Sequence, residues 1–200
     1  MTSLDRPSFR LSPARPPTVA LNGMVATSQP TATRAGLRTL ERGGNAMDAA
    51  VAAAAMLGVT EPMSTGIGGD VFAIVSRDGE ITGLDGAGPA PAVVENPLEI
   101  AESGPRSVNV PGAVAGWGML AERFGRLGLD ACLADAIDAA ENGFALGFLA
   151  ARSWGEATHG PDEWMPAPEP GARVRFPDLA ATLRASRSEP SLEKCTSPGF

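Results

Sequence analysis

The sequence predicts an α/β chain with helix layered on sheet, and three observations between residues 45 and 91 carry that reading. From Ala49 to Leu57 a helical pattern has no charge on any side, which marks a buried helix. A glycine turn follows at once, Thr60-Glu-Pro-Met-Ser-Thr-Gly-Ile-Gly-Gly-Asp70, and feeds the apolar runs Val71-Phe-Ala-Ile-Val75 and Ile81-Thr-Gly-Leu84. Between those runs stands Asp78-Gly79, a strong hairpin signal because a type I′ turn needs positive φ at both central residues. No linker separates buried helix, turn and hairpin.

Taken in order, residues 1–21 are polar, carry Pro7, Pro13, Pro16 and Pro17, and show no periodicity, so they read as an arm without a core of its own. Met24 to Thr27 reads as a short strand. Pro30 suits a first helical turn, after which Arg34, Arg38, Glu41 and Arg42 share one face, with Ala32, Gly36, Leu37 and Leu40 mostly on the other. Gly43-Gly44 ends this helix. Asn45 is the expected N-cap of the buried helix, with Asp48 at its third position, where a carboxylate meets the orphan amides and the helix dipole. Gly58 and Pro62 are expected to stop it.

In the turn, Gly66, Gly68 and Gly69 are expected to use positive φ and to come close to another segment or a ligand. The second strand leaves through Asp85-Gly86-Ala87-Gly88, a small-residue loop closed by Pro89 and Pro91. Permissive backbone just past a strand end is where ligands bind, so Asp85, Gly86, Ala87 and Gly88 are the candidate substrate-binding residues. Asp70 and Asp85 could be catalytic carboxylates, but aspartates beside glycine more often cap a turn or close a loop. No catalytic residue is identified in the chain.

Beyond Pro91 the sequence is irregular to Arg106. Pro111 to Phe124 reads as a helix seated tightly by Gly112 and Gly116, with Trp117 near its start. Asp130 is expected to cap a helix through Ala134, Ile137 and Ala140 closed by Gly143, and Asp178 a last one through Leu183. Residues 161–170 form a proline-rich loop. No internal repeat is found.

Composition excludes several function classes. The net charge of −7 and fifteen scattered arginines argue against nucleic acid. Two cysteines, Cys132 and Cys195, without a Cys-x-x-Cys pair, suit a reducing compartment. The longest uncharged apolar run, Ala49 to Thr60, is too short to span a bilayer, and residues 1–10 lack the apolar core of a secretory signal. His159 is the sole histidine and sits in the proline-rich loop, so neither a metal centre nor Ser-His chemistry is expected. Gly66-Ile-Gly-Gly69 lacks the third spaced glycine of a dinucleotide fingerprint and precedes a strand where that motif needs a helix, so no cofactor is expected.

Four strings nevertheless carry a family likeness: Gly23-Met-Val-Ala-Thr-Ser-Gln-Pro30, Gly43-Gly-Asn-Ala-Met-Asp-Ala-Ala-Val51, Glu61-Pro-Met-Ser-Thr-Gly-Ile-Gly-Gly69 and Val108-Asn-Val-Pro-Gly-Ala-Val-Ala-Gly-Trp117. In order and spacing they resemble the large-subunit part of γ-glutamyltransferases. The likeness resumes at Phe176-Pro-Asp-Leu-Ala-Ala-Thr-Leu-Arg184, so it covers residues 22–184 and is weaker from about Phe148 to Val174. It implies the large-subunit portion of an N-terminal-nucleophile hydrolase, an αββα sandwich. It also implies a small-molecule γ-glutamyl or acyl-amide substrate, and as partner the small-subunit part of the same precursor. The family's nucleophile is a threonine freed by autocleavage in a Thr-Thr-His-type motif, which this chain does not contain; Thr158-His159 is only a superficial mimic. Many bacterial relatives carry an export signal, whereas residues 1–10 lack its apolar core, so the expected location is cytoplasmic.

Two departures stand out. The family arginine that clamps the substrate α-carboxylate aligns with Ala87, and the arginine of the acylase-like branch, from a Gly-Ser-Gly-Arg string, aligns with Pro89. Neither is a cation. After Arg184 the likeness stops, and residues 185–200 bring Lys194 and Cys195 together in a serine-rich tail, as a truncated or frame-shifted gene would, or a diverged one. The rival to an acyl-amide enzyme is therefore an inactive fragment serving as scaffold or binding surface.

Overall fold

The computed structural model describes residues 18–92, 100, 104–156 and 166–187. Most of the N-terminal arm, Thr158-His159, residues 161–165 of the proline-rich loop and nearly all of the tail lie outside the described residues. The elements are α1 (Pro30–Glu41), α2 (Ala46–Thr60), β1 (Val71–Arg77), β2 (Glu80–Gly86), α3 (Ala113–Phe124), α4 (Gly128–Asn142), β3 (Phe144–Ala145), α5 (Phe148–Glu156), β4 (Arg173–Val174) and α6 (Pro177–Ala185), with one 3-10 turn at Pro105–Ser107.

The expected mixture of helix and strand is what is seen, and its centre is α2. Asn45 accepts from the amides of Met47 and Asp48, while Asp48 Oδ2 accepts from the Asn45 amide at 2.8 Å, a complete capping box. Ten of its fifteen residues are buried, because a helix of alanines lets neighbours close in on every side. It packs against α1, α3 and α4, and α4 in turn carries α6. Gly58 does not stop α2 but lies within its last turn.

The hairpin forms as expected, with Asp78 at φ 53° and Gly79 at φ 85°, and pairs Val71 with Gly86 through Arg77 with Glu80. Val71, Ala73, Val75 and Leu84 point inward. The helix that makes most of the contact with the hairpin is α3, and Val75 joins the same core as Val51, Ala55 and Val59 of α2. The core joins Val51 and Val59 of α2 to Trp117 and Leu120 of α3, Leu133 and Ile137 of α4, Trp154 of α5 and Leu183 of α6.

Several expectations need correction. Residues 24–27 make no ladder among the described residues and are not a strand. In α1 the buried face is Ala32, Ala35, Gly36 and Thr39, which turns Leu37 outward. Asp130 and Asp178 sit inside the first turns of α4 and α6; the N-cap positions are Leu127 and Phe176, neither with a side-chain cap. Gly143 does close α4, at φ 94°. The structure adds α5 and the two-residue ladder of β3 with β4, pairing Phe144 with Val174.

Candidate functional site

Three backbone segments meet beside the hairpin: the glycine turn ending at Asp70, the loop at residues 85–88 and the segment 108–112 that enters α3. The first four amides of a helix lack internal partners, and α3 has no side-chain cap. Its leading amides are taken by a carbonyl instead: Gly69 O accepts from Gly112 N at 3.0 Å and from Ala113 N at 2.9 Å. Val110 N donates to Pro89 O at 3.0 Å, which draws the strand exit against the same helix end.

The contact between those segments is backbone on backbone. A Cβ on Gly88 would stand 1.5 Å from Val110 O, and one on Gly112 would stand 2.2 Å from Gly86 O, so both positions must be glycine for the segments to touch. The expected reason for glycine in the turn itself does not hold. Gly66, Gly68 and Gly69 are not at positive φ, and a Cβ at Gly66 or Gly68 would meet open space.

Aspartates hold this junction. Asp85 Oδ1 accepts from Ala87 N at 3.0 Å, the loop closure expected of it. Asp70 does not cap its own turn. Its carboxylate accepts from Gly88 N at 3.1 Å and from Asn109 Nδ2 at 2.9 and 2.8 Å, so it spans three segments. The amides of Ala87 and Gly88 are thus both engaged by carboxylates.

Asp85 and Ala87 are exposed, Gly86 and Gly88 half-buried. Asp85, Gly86 and Ala87 line one pocket of about 90 Å³ between β2 and α3, whose other walls include Met119, Arg123 and Phe124. Arg123 was not singled out in the sequence, although Gly112, Gly116, Met119 and Arg123 follow helical spacing on one face. Its guanidinium lies 5.2 Å from the centre of the Phe124 ring. Arg106 is exposed in the 3-10 turn. Among the described residues no group of three His, Cys, Asp or Glu side chains could hold a metal, and no helix is long and apolar enough to cross a membrane.

The outer face of the hairpin is bare. Phe72, Ile74 and Ile81 are 68, 81 and 73% exposed, and among the described residues no third strand pairs with either edge.

Comparison with known proteins gives the chain's family. The family model described as gamma-glutamyltranspeptidase matches residues 32–191. The chain is 32% identical to the glutathione hydrolase proenzyme of Bacillus subtilis, over 86% of this chain and 33% of that protein. It is 34% identical to the oxamate amidohydrolase proenzyme of Klebsiella pneumoniae, over 86% of this chain and 37% of the relative. Among solved structures, cephalosporin acylase from Bacillus halodurans superposes with a TM-score of 0.75 at 39% identity, covering 91% of this chain and 39% of the other. Helicobacter pylori gamma-glutamyltranspeptidase gives a TM-score of 0.78 at 29% identity, over 86% and 56%. The chain therefore spans about a third of the length of these curated relatives. With the helix-and-strand fold, the ordered motifs and the matched model in agreement, the chain belongs to the gamma-glutamyltranspeptidase family.

Proposed function

We propose that this chain is the N-terminal, large-subunit part of an amidohydrolase or acyltransferase acting on γ-glutamyl or related acyl amides such as glutathione, through a threonine nucleophile that lies outside it. One observation carries the reading. The family strings at residues 61–69 and 108–117, distant in sequence, meet at Gly69 O and the amides of Gly112 and Ala113, and beside that junction Asn109 and Val110 bond the end of the loop at residues 85–88 through Gly88 and Pro89.

The partner is the C-terminal part of the same precursor. The names of the relatives support this, since they are called proenzymes, and so does the share of them that the chain spans. The bare outer face at Phe72, Ile74 and Ile81 and the unpaired strand edges are surfaces such a partner would cover.

The loop argues against a γ-glutamyl preference. A substrate carboxylate in a narrow site needs a cation or free amides. Ala87 supplies no cation, and the amides of Ala87 and Gly88 are already taken by Asp85 and Asp70. Arg106 and Arg123 are the cations that could compensate. The reading is tested by translating the DNA downstream and expressing the extended precursor. A Thr-Thr-His-type motif, self-cleavage before it and hydrolysis of an acyl anilide are expected; a precursor with no such motif and no turnover would leave only the scaffold reading.

A further inference from the structure

The hairpin ladder holds the first half of the loop at residues 85–88, with Asp85 opposite Phe72 and Gly86 opposite Val71, and leaves Ala87 and Gly88 beyond it. The side chain of Asp85 bonds the amide two residues on, which shapes the loop internally. On Gly88 the side-chain tie is made by Asp70 and Asn109. Asn109 Nδ2 bonds both oxygens of Asp70, at 2.9 and 2.8 Å, and reaches Gly88 O at 3.4 Å, while Asp70 Oδ1 takes Gly88 N at 3.1 Å. One carboxylate and one carboxamide together grip the N–H and the C=O of a single residue.

The grip closes a circuit. Residue 69 binds the N-terminus of α3, residue 70 binds Gly88 and Asn109, and Pro89 binds Val110, the neighbour of Asn109. Gly88 packs against the Val110 backbone within this circuit, where a Cβ would stand 1.5 Å from Val110 O. The carboxylate of Asp70 accepts from two donors, and such charge-assisted bonds are stronger than bonds between neutral groups in the same setting.

We infer that Asp70 and Asn109 are positioning residues that fix the Gly88 end of the 85–88 loop over the start of α3, so that acyl-group selection at this loop depends on two side chains outside the pocket that Asp85, Gly86 and Ala87 line. The inference rests on the reading of that loop as the acyl-binding element. It accounts for the aspartate at the end of the glycine turn, which has neither a catalytic partner nor a turn of its own to cap.

The test is hydrogen exchange in the full 200-residue chain at low concentration, comparing Asp70→Ala, Asn109→Ala and the exchange of partners, Asp70→Asn with Asn109→Asp. Each single variant is expected to speed exchange of the Gly88 amide roughly tenfold or more, with α2 and α4 unchanged, since the opening is local. The swapped pair keeps a carboxamide oxygen for the Gly88 amide and a carboxamide–carboxylate bond but loses the donor to Gly88 O, so it restores part of the protection. Unchanged exchange at Gly88 in both single variants would overturn the proposal, and so would acceleration spread equally through α2 and α4. In the extended precursor the same single variants should raise KM for an acyl anilide several-fold while leaving kcat nearly constant. Exchange reads the positioning without turnover, so normal exchange effects with no acyl-amide turnover would condemn the functional reading and not the positioning pair.

Discussion

The backbone amide of Arg126 donates to the buried carboxylate of Asp48 at 2.9 Å, joining the start of α2 to the turn between α3 and α4. Leu127 N adds a bond at 3.2 Å to the other oxygen, and Asn45 Nδ2 reaches Phe124 O at 2.6 Å. A capping box that would ordinarily serve one helix here fixes two. Because α2 leads to the glycine turn and α3 starts beneath the 85–88 loop, this lock sets the frame in which the candidate site is assembled.

Removing it should therefore cost more than a cap. Asp48 is 0% exposed, so Asp48→Ala empties a buried position and takes the acceptor from three part-buried amides, those of Asn45, Arg126 and Leu127, a loss of about 3 kcal/mol. Urea unfolding of the chain and the variant measures it. A loss no larger than the roughly 1 kcal/mol of an ordinary N-cap would show that the long-range half of the lock contributes nothing.

Cys132 lies against the same carboxylate, its sulfur 3.8 Å from Asp48 Oδ1. Burial first, and then the charge and hydrogen bond of Asp48, push its thiol from 9.0 up to about 12. A folded-state value above the unfolded one means that the neutral thiol contributes stability in full below pH 9, and that this is lost as the pH rises from 9 toward 12. Unfolding midpoints measured across that range should fall more steeply for the native chain than for Cys132→Ala. At neutral pH iodoacetamide should modify Cys132 only after denaturation.

The bare face of the hairpin should make the isolated chain associate. Among the described residues the two hairpin edges beside Phe72, Ile74 and Ile81 have no partner strand, and such edges form a template for other strands. Replacing Phe72 and Ile74 by lysine should shift the chain toward monomer in sedimentation without lowering its unfolding midpoint, because neither side chain is in the core. Monomeric behaviour of the native chain at high concentration would mean that this face needs no cover.

How much of this was legible in the sequence follows the range of the interactions. The Asn45/Asp48 box and the Asp78-Gly79 turn are local, fixed by spacings of three and one, and both were read correctly. The partners of Asp48 at residues 126 and 127 lie 78 and 79 positions away, and no pattern announces them. The β3 and β4 strands are two residues each, too short for alternation to register. Helix α5 escaped because Phe148 and Leu149, its most apolar residues, are exposed and only Ala150, Ala151 and Trp154 are buried. At the site, composition pointed to the loop, whereas the role of Asn109 appears only once the chain is folded. Arg123 could have been found, since it lies in helical register with Gly112 and Gly116.

The loop without a cation leads to a prediction about specificity. Losing one partner of a buried, hydrogen-bonded ion pair costs about 3–5 kcal/mol, roughly a hundred- to several-thousand-fold in kcat/KM. The extended precursor should therefore show no marked preference for γ-glutamyl over glutaryl anilide, and Ala87→Arg should create one. A strong native preference that survives Arg106→Ala and Arg123→Ala would show that the loop does not select the acyl group.

Anilide release by the 200-residue chain, set beside release by the precursor extended through its Thr-Thr-His-type motif, bears most directly on the assignment of this chain as the non-nucleophilic part of an acyl-amide enzyme. The chain alone should release nothing from γ-glutamyl or glutaryl anilide, and the extended precursor should turn over at least one of them after cleaving itself. A threonine-dependent burst from the 200-residue chain would contradict the account.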